Sequence, residues 1–254
     1  MNIKNKKAMH VHEKEYIRKH FFSFFAKGNV LFIHGYNSTW FKHRSILDFF
    51  YENGYNVFTL DLPNHGKNTD YNSQLFFTDY CNYVLDFIKQ HNLKKIVLFG
   101  HSMGGGVIGA IFKEINKITK FVILQDPLQK SVKKKDTGII AKAFDMMKKH
   151  GIGGIKKWLT PSNNSLHSIL LLNDIVSDDV LVNIENGLKM IDVPTLVFFG
   201  ENDDVIDPMD AKEYFESIVN KKYLYFEIIK NAKHSPDIEN FLETKEVIIN
   251  FLNK

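Results

Sequence analysis

From residue 29 onward the chain alternates between two hydrophobic rhythms. Short, nearly continuous apolar runs occur at Asn29 to Ile33, Val57 to Leu60, Lys95 to Phe99, Phe121 to Leu124, Thr195 to Phe199 and Tyr223 to Ile229. Their β-branched and aromatic content predicts strands, and unbroken apolarity is what strands buried on both faces require. Between them, apolar residues recur every three or four positions. In Ser73 to His91, Phe76, Tyr80, Val84, Phe87 and Ile88 form one stripe with Asp79, Asp86 and Lys89 off it, which predicts an amphipathic helix packed on a sheet. A last helix is predicted over Ile238 to Leu252, with Phe241, Ile248, Phe251 and Leu252 on its apolar side. Such alternation builds an α/β fold with a mostly parallel sheet flanked by helices. Residues 8 to 26 fit neither rhythm cleanly, and a strand hairpin is one reading of them.

The alternation stops between Pro127 and Asp192, where helix-like segments and loops run on without a convincing strand. This stretch, 127–192, reads as a helical lid or cap inserted into a core made of residues 1–126 and 193–254. It contains the charge run Lys133-Lys134-Lys135 and the apolar residues Met146, Met147, Trp158 and Leu159, and a strand resumes after Val193-Pro194.

Composition narrows the classes. With 254 residues, 44% of them hydrophobic, one large core can be buried without staples, and the lone Cys81 cannot close an intramolecular disulfide. The basic start, Met1 to Lys7, is followed from His10 to His20 by charges every few residues where an export signal needs an apolar stretch. No apolar run approaches the ~20 residues that span a bilayer, so a soluble, cytoplasmic chain is expected. The net charge of +4 comes almost wholly from lysine, Arg18 and Arg44 being the only arginines. Base readers and phosphate clamps favour arginine, so no nucleic-acid partner is expected.

The sharpest chemical signal is Gly100-His101-Ser102-Met103-Gly104, directly after one strand and before the helical run Gly105 to Ile115. A G-x-S-x-G sequence at a strand-to-helix junction places the serine on a strained turn, exposed as a nucleophile. The helix that follows aims its first amides at the reacting oxygen, so the Met103 N–H is a candidate oxyanion donor. Gly104, Gly106 and Gly109 also spell G-x-G-x-x-G, with Asp126 ending the next strand. In a dinucleotide site the first glycine closes the strand itself; here Gly100 does so, and the later glycines fall within the helix, where small residues permit close packing.

A serine hydroxyl needs a base and the base an orienting acid, both expected at carboxyl ends of strands. Asp203 follows the strand Thr195 to Phe199, and His234 follows Tyr223 to Ile229. The order Ser102, Asp203, His234 is that of nucleophile, acid and base in this fold class. Asp204, Asp207 and Asp126 are rivals for the acid. A second oxyanion donor is expected from the loop after the first strand of the alternating region, at the N–H of Tyr36 behind Gly35, while His34 and His65 read as structural.

These blocks together resemble the α/β-hydrolase superfamily, and within it the lid-bearing lysophospholipase and monoacylglycerol-lipase-like serine esterases. The resemblance runs from about residue 29 to 254. It rests on Ile33-His34-Gly35-Tyr36, Asp61-Leu62-Pro63-Asn64-His65-Gly66, Gly100 to Gly105, Pro194 to Asp203 and Ala232-Lys233-His234. It implies a central sheet of about eight strands, with Ser102 on the elbow after the fifth and the lid after the sixth. Asn64 stands where the family often has glycine, and Lys233 where glycine usually precedes the histidine.

The expected activity is cleavage of a carboxylic ester, such as a monoacyl lipid or lysophospholipid, through an acyl-enzyme. No cofactor or metal is required, and neither H-E-x-x-H nor paired cysteines occur. Met146, Met147 and Trp158 are candidate substrate-binding residues of the lid. Its lysines suit transient contact with an anionic membrane surface as well as they suit solvent. The same triad also serves a peptide amide, thioester or carbon–carbon bond, and a binding protein of hydrolase fold is the remaining alternative.

Overall fold

In a computed structural model, residues 13–21, 26–71, 73–130 and 165–254 are described, and the six predicted strands join a further one, from the ambiguous N-terminal segment, in one seven-stranded sheet. The strands are β1 (Glu15–Arg18), β2 (Asn29–Ile33), β3 (Asn56–Leu60), β4 (Ile96–His101), β5 (Thr119–Gln125), β6 (Thr195–Gly200) and β7 (Leu224–Ile229), in the order β1-β3-β2-β4-β5-β6-β7. Every pairing is parallel except that of β1 with β3, in which Glu15 faces Leu60 and Arg18 faces Val57. Only one described strand, β1, precedes β2. The elbow therefore follows the fourth described strand rather than the fifth, and seven strands stand where the resemblance implies about eight.

Side chains alternate between the two faces with the period-2 rule of strands. Leu31, Ile33, Leu98, Val122, Leu124, Val197 and Phe199 face one core with α2 (Phe77–Gln90), α3 (Met103–Ile115), α5 (Asp178–Leu188) and α6 (Pro208–Ile218). Val30, Phe32, Val97, Phe99, Ile123, Leu196 and Phe198 face the other, covered by α1 (Arg44–Glu52) and α8 (Phe241–Leu252). Two helix predictions shift. The stripe of α2 begins at Phe77, fully buried, whereas Phe76 is 49% exposed, because the Asp79 carboxylate accepts the Phe76 N–H and starts the helix there. The last helix divides into α7 (Pro236–Glu239) and α8 at Asn240, whose side chain caps α8 by accepting the Glu243 N–H.

The predicted lid falls partly on residues 131–164, which lie outside the described ones, as do Met146, Met147 and Trp158. Its later part forms α4 (Ser165–Ile175) and α5. Leu181, Ile184 and Leu188 of α5 are buried in the same core as α3, and a Cβ on Gly187 would stand 1.8 Å from the Gly109 carbonyl oxygen. Thus Gly109 marks a close helix crossing, not a phosphate loop.

Candidate active site

The site is built where β4, β5, β6 and β7 end. Between β4 and α3 the chain turns in a single residue, Ser102, at φ 52° and ψ −117°. That backbone is left-handed and costs a residue with a Cβ on the order of 1–3 kcal/mol. The surroundings hold it: the Ser102 N–H donates to Gln125 O, and its carbonyl accepts from Gly105, Gly106 and Leu128. A Cβ on Gly100 would lie 2.6 Å from Gly105 N and one on Gly104 2.1 Å from Ile33 O, so both flanking glycines are required by space.

Beyond β6 and β7 the two loops stay laced, with Glu201 N–H donating to Ile229 O and Asn202 N–H to Ala232 O. This brings Asp203 and His234 together. Asp203 Oδ1 accepts the Val205 and Ile206 amides, at 2.7 and 3.1 Å, which leaves Oδ2 to meet His234 Nδ1 at 2.9 Å. His234 Nε2 lies 3.0 Å from Ser102 Oγ. With Nδ1–H donating to the carboxylate, Nε2 is the acceptor for the serine proton. Burial opposes ionisation of Asp203, but its contacts with His234 and the two amides outweigh burial and hold its carboxyl below the usual range.

The sequence family described as alpha/beta hydrolase fold matches residues 28–148. A Mycoplasma genitalium protein named "Putative esterase/lipase 2" is 30% identical over 230 residues, covering 83% of each chain. The chain belongs to the α/β-hydrolase family. This hydrolase is also 24% identical to a human monoacylglycerol lipase, over 89% of its own length and 75% of the lipase. Among solved structures, a carboxylesterase study of Nitrososphaera gargenis provides a fold with a TM-score of 0.70 and 15% identity, covering 94% of both chains.

In the hydrolase the loop after β2 closes on the elbow. A Cβ on Gly35 would lie 2.9 Å from Ser102 Cβ and 3.2 Å from His101 O, so Gly35 lets Tyr36 follow directly beside the serine. Met103 is the first residue of α3, where helix amides have no intrahelical acceptor. His34 accepts the Leu62 N–H on Nε2 at 2.9 Å, so Nδ1 carries the proton toward Gly35 O. Burial keeps it neutral, well below its usual pKa, and gives it a structural place. Asn64 adopts φ 58°, a conformation asparagine tolerates and glycine usually supplies.

The rivals for the acid separate by position. Asp204 and Asp207 lie on the same loop, and Asp207 caps α6 through the Met209 and Asp210 amides. Asp126 is fully buried, and its Oδ1 accepts the Gly200 N–H at 3.0 Å. Burial, then the neighbouring Asp203 charge, push its carboxyl well above the usual range. Asp126, Asp203 and His234 have ligand-type atoms within 4.8 Å of one another, but both His234 nitrogens and both Asp203 oxygens are engaged as described above. Among the described residues no helix is long and apolar enough to cross a membrane.

Proposed function

We propose that this esterase/lipase-like hydrolase cleaves carboxylic esters by two-step acyl transfer through Ser102, His234 and Asp203. The observation that carries the reading is the continuous relay from Ser102 Oγ through the two His234 nitrogens to Asp203, at 3.0 and 2.9 Å. Ser102 Oγ attacks the ester carbonyl as His234 Nε2 takes its proton. The imidazolium, stabilised by Asp203, returns that proton to the leaving alcohol, and a water attacks the acyl-enzyme by the reverse route. The Tyr36 and Met103 amides hold the oxyanion, each worth on the order of 3 kcal/mol in the transition state. Relatives named for esterase, lipase and monoacylglycerol lipase activity support a small ester or monoacyl lipid as substrate. Selection of the acyl chain is assigned to Met146, Met147 and Trp158 of the 127–192 insertion, whose later helix α5 packs on α3 of the core.

Labelling with a fluorophosphonate, located by peptide mapping, tests the reading. A single adduct on Ser102 that disappears in His234→Ala, together with ester turnover lost in a folded Ser102→Ala protein, is the expected result. Turnover persisting in clean Ser102→Ala protein overturns it.

A further inference from the structure

Beneath the proposed relay lies a second Ser-His-Asp series that is wholly buried. His43 Nδ1 lies 2.7 Å from Asp237 Oδ2, and His43 Nε2 lies 3.2 Å from Ser38 Oγ. His43 and Asp237 are each 1% exposed and Ser38 7%. Gln125 Nε2 donates to the other Asp237 oxygen at 2.6 Å, so the carboxylate is held on both sides. With Nδ1–H pointed at Asp237, Nε2 accepts the Ser38 hydroxyl proton. A buried carboxylate needs such partners, and the pair crosses 194 residues of sequence to form.

The positions of these residues give the series a purpose. Ser38 ends the turn whose Ser38 N–H donates to Gly35 O at 3.3 Å, the turn that presents Tyr36. Asp237 stands three residues beyond His234, in α7. Between the two, the His101 ring lies 4.9 Å from His43 and 5.4 Å from His234, and its Nε2 donates to the His234 carbonyl at 2.7 Å. One buried polar layer therefore joins the loop presenting Tyr36, the loop bearing the base and the residue before the nucleophile. Closed off from solvent, Ser38 is itself no nucleophile.

We infer that Ser38, His43 and Asp237 are positioning residues that hold the Gly35–Ser38 turn, and with it the Tyr36 amide, in register with the His234 loop. The inference rests on the ester-hydrolase reading for the meaning of that register. Displacing an oxyanion donor weakens transition-state binding while leaving ground-state binding in place, so kcat falls and KM does not.

The test compares Ser38→Ala, which removes one uncharged hydroxyl, with His43→Asn, which can still donate to Asp237 but does not reach Ser38. With p-nitrophenyl butyrate as substrate, each is expected to lose about tenfold in kcat at unchanged KM, and the Ser102 fluorophosphonate labelling rate to fall by the same factor. The double variant is expected to be no worse than the poorer single one, because both cut one link. Unaltered kcat in folded Ser38→Ala protein, a rise in KM alone, or additive losses overturn the inference. A wild-type chain that is labelled at Ser102 but turns over no ester overturns the ester reading, and the labelling rates of the variants still decide this one. A chain neither labelled nor active overturns both.

Discussion

Asp126 and Asp203 end adjacent parallel strands and bring their carboxyl groups to the same histidine, yet only Asp203 hydrogen-bonds the His234 ring. The two carboxyls are shifted in opposite directions: contacts with His234 and two amides hold that of Asp203 below the usual range, while burial and its neighbour's charge push that of Asp126 well above it. Replacing Asp126 by asparagine keeps an oxygen for the Gly200 N–H, so kcat is expected to fall by less than about tenfold. Asp203→Asn instead removes the charge that stabilises the imidazolium, and a loss of about ten-thousand-fold is expected. Steady-state kinetics on the two variants separates the acids. Equal losses would return Asp126 to candidacy.

The left-handed backbone of Ser102 predicts a trade of activity for stability. Ser102→Gly relieves a conformation that both serine and alanine find strained, for a net gain of about 1 kcal/mol after the freedom glycine adds to the unfolded chain. Thermal melts should rank Ser102→Gly above Ser102→Ala and above the native chain, with turnover absent in both variants.

At the crossing of α3 and α5, the Gly187 site has no room for a methyl group. Gly187→Ala must push the helices apart or bend one of them, and about 3 kcal/mol of destabilisation is expected. A urea midpoint that stays put would show that α5 does not seat on α3 as described.

Three buried histidines govern the acid limb of stability. Burial pushes the His65 imidazole down to about 4 and that of His101 to about 3, and holds His34 well below its usual value. In the unfolded chain each takes up a proton near pH 6.5. Between that pH and the folded values the unfolded state binds more protons, so stability is full above about 6.5 and drains as pH falls toward 4. Each proton contributes a slope of about 1.4 kcal/mol per pH unit. Urea unfolding at pH 7.5, 6 and 5 reads the slope, and a flat profile would refute neutral burial of these rings.

Most of the strand framework was legible because it depends on local composition. The run Asn29 to Ile33 matches β2 residue for residue, and the junction at Ser102 is written contiguously. The one-residue shift at Phe76 and Phe77 was not legible, since a capping carboxylate rather than apolar spacing sets the start of α2. Choosing among Asp126, Asp203 and the later aspartates needs burial and hydrogen-bond geometry that spacing does not carry. The series from Ser38 through His43 to Asp237 left no pattern at all, because three polar residues of ordinary type meet only after the sheet has brought distant loops together.

Strand order also sets a schedule for the chemistry. Asp203 Oδ1 is fixed by amides two and three residues further on, whereas His234 hangs on β7, an edge strand whose sole neighbour among the described strands is β6. During synthesis Ser102 and Asp203 emerge before His234. Under the proposed mechanism the growing chain is chemically silent until β7 docks, and recovery of turnover in a refolding experiment would time the closing of that edge rather than the collapse of the core.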